Sequence, residues 1–150
     1  MDYTALNEAY KALPASEQTP LATALAALQA QTTTLTGQPI AVPSMFAVLE
    51  GSTAGDWAKV VLRSRGTPSG VSPPTAADQA ISAAIEAVAL FQAGGAVTAQ
   101  EWPLCSSWLN ALEAVGDVSS ASVTAITALS TVTVPTFPGL EMGDLQTAGV

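Results

Sequence analysis

Lys59 and Arg63 stand four residues apart, with Arg65 just beyond and Asp56-Trp57 just upstream. On a helix that spacing sets the two cations one turn apart on one face. A guanidinium beside an ammonium is chemistry for holding an anion or the acidic face of a partner. The competing reading is a solvated face on which Asp56 pairs with Lys59 at i,i+3. The second place with binding chemistry is the chain end. Val132, Val134, Phe137, Leu140, Met142 and Leu145 are apolar in a stretch that Pro135, Pro138, Gly139 and Gly143 are expected to prevent from folding into a helix. Such a segment lies over its own domain or reaches into a partner by strand addition or groove binding. Partner contact is therefore expected at Trp57, Lys59, Arg63 and Arg65 and at these six C-terminal residues.

Other chemistries have little to stand on. The chain contains no histidine, which removes Ser-His and Cys-His nucleophile pairs and His-ligated metals together. Glu50, Asp56, Asp78, Glu86, Glu101, Glu113 and Asp117 are scattered along the chain, mostly where a helix cap or dipole would use them, and show no metal-ligand spacing. Cys105 is the lone cysteine. It forms no intrachain disulfide or zinc cluster, and beside Trp102 and Trp108 it reads as a small core residue. Gly66-Thr67-Pro68-Ser69-Gly70 lacks the lysine and the strand-to-helix context of a phosphate loop. No catalytic, cofactor-binding or metal-ligating residue is expected, and the chain reads as a non-enzyme.

The elements that must carry these residues follow from composition and punctuation. A chain of 150 residues is long enough for one core. Apolar residues make up 49% and charged ones 11%, against a usual charged share of about 25%, so Ala, Thr, Ser and Gln replace surface charge. The balance of 12 acids against 4 bases, net -8, argues against a nucleic-acid partner, which needs clustered Lys and Arg. The most apolar window, 80–99, is broken by Glu86, Gln92 and Gly94-Gly95, so no membrane span is expected. The opening MDYTALNEAYK lacks the basic and apolar regions of an export signal.

Periodicity predicts seven helices. Tyr3, Leu6, Tyr10 and Leu13 form the stripe of the first, closed by Pro14, and Thr19-Pro20 opens a second carrying Leu21, Leu25 and Leu28. After an extended connector at 32–39, Val42-Pro43 starts a third with Phe46 and Leu49, and Trp57, Val60, Val61 and Leu62 mark a fourth ending at Arg65-Gly66. The Gly- and Pro-rich stretch 66–74 is the candidate subdomain break. Thr75 with Asp78 caps a long helix whose core face is expected at Ile81, Ile85, Val88 and Phe91, stopped by Gly94-Gly95. Thr98 with Glu101 caps the next, carrying Trp102, Cys105, Leu109 and Leu112, and Ser119 or Ser120 caps the last, through Val123 and Ile126. The expected fold is mainly α, an irregular bundle of about six or seven short helices over 1–131, followed by an extended C-terminal tail at 132–150. Within that tail, 132–134 could add an edge strand to another chain.

Several segments together carry a resemblance. Asp2-Tyr3-Thr4-Ala5-Leu6, the Ala/Leu helix at Leu21 to Ala30, the Thr-rich connector at Thr32 to Thr36, Val42-Pro43 with Val48-Leu49, and Asp56-Trp57 resemble small late-gene structural proteins of tailed bacteriophages, chiefly over residues 2–65. The second half is similar in the order of helices and in the Leu-x-x-x-Gly ending at Leu112 to Gly116. The chain departs from the pattern in having no Arg in its connector and a longer loop at 66–74. That family offers no catalytic residues to carry over. The resemblance implies a virion protein made in the host cytoplasm, most simply in the tail or a tail connection. Its partners would be other virion proteins and further copies of itself in a symmetric array. A capsid decoration protein and a non-virion accessory, such as a tail-assembly chaperone, are the alternatives. A low-charge Ala/Thr surface suits close approach over broad interfaces.

Overall fold

Caps and breakers place the helix ends. The computed structural model, covering residues 1–150, runs α1 (Tyr3–Ala12), α2 (Ala15–Gln18), α3 (Leu21–Gln29), β1 (Thr32–Leu35), β2 (Ile40–Ala41), α4 (Val42–Glu50), α5 (Asp56–Ser64), α6 (Ala76–Ala93), β3 (Ala96–Val97), α7 (Trp102–Ala114), α8 (Ser120–Ala128), β4 (Val132–Pro135) and α9 (Met142–Thr147). The protein is mainly helical, and its seven longer helices fall where periodicity predicts them. The two others, α2 and α9, span four and six residues, too short for a repeating stripe to register.

The chain divides into two compact units, Met1–Leu35 with Val132–Val150, and Thr36–Thr131. The division does not fall in the stretch 66–74. In the first unit Asp2 caps α1 by accepting from the N–H groups of Thr4 and Ala5, both at 3.1 Å. Leu6, Leu13, Ala24 and Leu28 then meet Phe137, Leu140 and Leu145 in one buried cluster. β1 pairs antiparallel with β4, Thr33 opposite Val134 and Leu35 opposite Val132.

The expectation of an extended tail at 132–150 is thereby corrected. The segment forms β4 and α9, and both belong to the chain's own fold. Gly143 does not prevent α9 because Glu141 and Asp144 form a capping box at its start. Asn7 Nδ2 donates to the Ala148 carbonyl at 2.7 Å and Gln29 Nε2 to that of Leu140 at 2.8 Å. These bonds seat the end of the chain on α1 and α3.

In the second unit, Thr75 caps α6 and Gly94, at φ 70°, ends it. The core gathers Val42, Met45, Leu49, Val60, Leu109, Leu112 and Ile126 around an alanine face of α6. That face, made of Ala80, Ala83, Ala84 and Ala87, corrects the expected core stripe of Ile81 and Ile85, since Ile85 is 44% exposed. Helix α6 packs against both α5 and α7, and small side chains let backbones approach closely on two sides where isoleucine would hold them apart. No helix is long and apolar enough to cross a membrane.

Candidate functional site

The basic residues of α5 are spent inside the molecule. Arg63 forks onto Asp117, its Nε meeting Oδ2 and its Nη2 lying 3.2 Å from Oδ1. The hydrogen bonds that Arg63 donates to Asp117 raise its pKa, outweighing the opposite effect of burial. Lys59 Nζ donates to the Gly116 carbonyl at 3.3 Å. The expected Asp56–Lys59 pair is replaced by a different arrangement. Asp56 is fully buried and accepts from Ser119, at 3.0 Å from its N–H and 2.7 Å from its hydroxyl. Burial pushes the Asp56 pKa up, but the surrounding donors, Ser122 and Ser119 foremost, bring it below the ordinary carboxylate value, while its buried Oδ1 has no hydrogen-bond partner. Three side chains of α5 thus hold the turn between α7 and α8, leaving Arg65 exposed at the helix end.

Trp57 sits edge-on to Phe46 and Phe91, with ring centroids 5.1 and 5.2 Å away. It is half-buried against the core. Of the C-terminal candidates, Phe137, Leu140 and Leu145 are buried in their own unit, Val134 and Met142 are half-buried, and Val132 is exposed. The structure therefore buries three of the expected contact residues, Phe137, Leu140 and Leu145, inside their own unit.

What it does expose is aliphatic. Leu62 on α5 is 69% exposed and shares a shallow groove with Lys59, Arg63, Gly66 and Ile81. Ile85 lies one turn along α6 from Ile81. Leu104 at the start of α7 is 59% exposed. Leu62, grouped in the sequence with Trp57, Val60 and Val61, is a correction: it stands a further ~100° round the helix from Val61 and faces outward. The signal for Ile85 was hidden by the assumption that the larger side chain faces inward.

A larger cavity of about 440 Å³ lies between the 66–74 stretch, α6 and α7, lined in part by Val71, Pro74, Glu86, Ser107 and Trp108. Its most unusual group is Asp78, which does more than cap α6. Oδ1 accepts from the Ser69 N–H at 2.7 Å, and Oδ2 accepts from the Ser69 hydroxyl at 2.6 Å and the Thr75 N–H at 3.3 Å. Those bonds, the Ser69 hydroxyl foremost, hold its pKa at about 2 against an ordinary 3.8. A carboxylate with a depressed pKa stabilises the folded state above its unfolded value and loses that contribution as pH falls through the folded one. Protection of the Ser69 amide, measured against its intrinsic exchange rate at each pH, is therefore expected to be high above pH 4 and to fall between about pH 4 and pH 2; a protection factor constant throughout that window would contradict the assignment.

The remaining candidates resolve simply. Glu101 accepts from the Thr98 N–H at 2.9 Å and the Thr98 hydroxyl at 2.8 Å, and these bonds lower its pKa. This is the capping pair read in the sequence. Cys105 is buried in the core, and burial pushes its thiol up to about 11. Ser107 donates its hydroxyl to the Leu104 carbonyl. No protein-family model matches the chain, and no match is found among curated proteins or solved structures.

Proposed function

We propose that this chain is a non-enzymatic structural or assembly protein of a tailed-phage virion, acting in the tail or at a tail connection through protein–protein interfaces. The observation that carries the reading is the division of labour on α5 and α6. Their polar chemistry, Asp56, Lys59, Arg63 and Asp78, is used to fasten the fold, whereas Leu62, Ile81 and Ile85 are left at least partly open to solvent. Contiguous exposed aliphatic surface marks a contact site. Lys59 and Arg63 border the same groove. The resemblance of residues 2–65 to late-gene phage proteins gives this surface its setting.

Mass spectrometry of purified particles tests the reading. The chain is expected in the particle at a copy number far below that of the major capsid protein. A copy number matching the capsid lattice would favour decoration instead. Presence in infected cells with none in particles would favour the accessory role.

A further inference from the structure

We propose that two copies of this chain join edge to edge through β1, giving a four-stranded antiparallel sheet in the order β4-β1-β1-β4. The pairing pattern of the existing ribbon fixes which backbone groups remain open. Thr136 donates its N–H to the Gln31 carbonyl at 2.9 Å. In an antiparallel ladder hydrogen-bonded pairs alternate with non-bonded ones. With the register Thr33 opposite Val134 and Leu35 opposite Val132, those two pairs exchange bonds, whereas Thr32–Pro135 and Thr34–Thr133 do not. The N–H and C=O groups of Thr32 and Thr34 therefore point away from β4, and no other backbone group of the chain bonds them.

The two outer edges of the ribbon differ. On β4 one of the two outward positions is Pro135, which has no N–H to offer and blunts that edge. On β1 both outward positions are threonines, the whole strand is exposed, and no charge, proline or bulge protects it. A ribbon of two strands is also short of the three or more that a stable sheet uses.

A second copy fits this edge better than an unlike partner. A two-fold axis through Thr33 sets Thr32 of one copy opposite Thr34 of the other, so each outward pair exchanges both of its bonds. The same operation places Leu35 and Val132, 40% and 42% exposed, on one face with their counterparts. Charge decides against self-contact over much of a chain of net -8, but within the ribbon's own unit residues 21–35 and 132–140 carry no charged side chain. The ribbon and its flanks approach a copy of themselves without local like-charge cost, and they offer a charged partner nothing to pair with.

The proposal deepens the assembly reading and rests on it for its biological setting, but its test uses the isolated full-length chain, so the particle result and this one fail separately. Sedimentation equilibrium is expected to show a monomer–dimer system, with the Thr32 and Thr34 amides protected from exchange in the dimer alone. Thr34→Pro removes an outward N–H and is expected to raise the dissociation constant at least about tenfold while leaving the melting of the dilute monomer in place. Thr33→Pro removes an inward N–H and is expected to lower that melting temperature. Thr32→Lys with Thr34→Lys places like charges opposite each other across the axis and is expected to block the dimer at low salt. A chain monomeric up to about 1 mM, or a dimer indifferent to Thr34→Pro and to the lysine pair, overturns the proposal, whatever else binds β1.

Discussion

Leu145→Ala is expected to lower the unfolding free energy of the unit formed by 1–35 and 132–150 by about 3 kcal/mol. Leu145 is fully buried among Leu6, Leu28, Phe137 and Leu140. Truncating it removes the transfer energy of the lost carbons and leaves a cavity that surrounding leucines close only in part. A unit this small has little stability to spare. The effect is expected in α1 and α3 as much as in α9, because their apolar faces are covered by the same cluster. Hydrogen exchange resolved by residue measures it. Faster exchange confined to α9, with α1 and α3 unchanged, would mean that the chain end merely rests on a core complete without it.

Asp56→Ala is expected to cost about 2–3 kcal/mol in urea unfolding, through loss of a buried charged acceptor. The Ser119 N–H and hydroxyl lose their partner at the start of α8, 63 residues away in sequence. Ser119 also caps α8 by accepting from the Ser122 N–H at 3.3 Å. The substitution thus loosens a helix start as well as a hydrogen bond. A double-mutant cycle with Ser119→Ala separates these effects, and the two losses are expected to be clearly non-additive because the side chains touch. Additive losses would show that Asp56 acts through its burial alone.

These two sites show what the sequence could and could not reveal. Helix starts at Thr75 and Ser119 were legible because capping is written within three or four residues, whereas the Thr98–Glu101 pair forms in a turn just ahead of α7, which begins at Trp102. The Trp102, Cys105, Leu109, Leu112 stripe was legible because one side of α7 is buried at a regular period. The partner of Asp56 was not, since the turn that carries Ser119 meets α5 only through packing. Lys59, at the right spacing for an ion pair, gave a local explanation that the fold does not use. The alanine face of α6 was misread for a related reason. Hydrophobicity ranks isoleucine above alanine, but a helix packed closely on two sides selects for small volume. The C-terminal segment combined both difficulties, with a helix too short to show a period and a strand whose partner lies about a hundred residues upstream. Of the expected contact residues, those on α5 were correctly placed on one helix, yet their charges are turned to internal use.

We propose the exposed aliphatic strip of α5 and α6 as the working surface of the molecule. The most direct measurement is incorporation into particles of a Leu62→Glu, Ile85→Glu double variant, quantified by mass spectrometry beside the parent chain. Both side chains are largely open to solvent, so each change is expected to shift stability by no more than about 0.5 kcal/mol. The expected result is a variant that folds and melts like the parent but is missing from particles that contain it. Incorporation of the double variant at the parent level would rule out that strip as the contact surface.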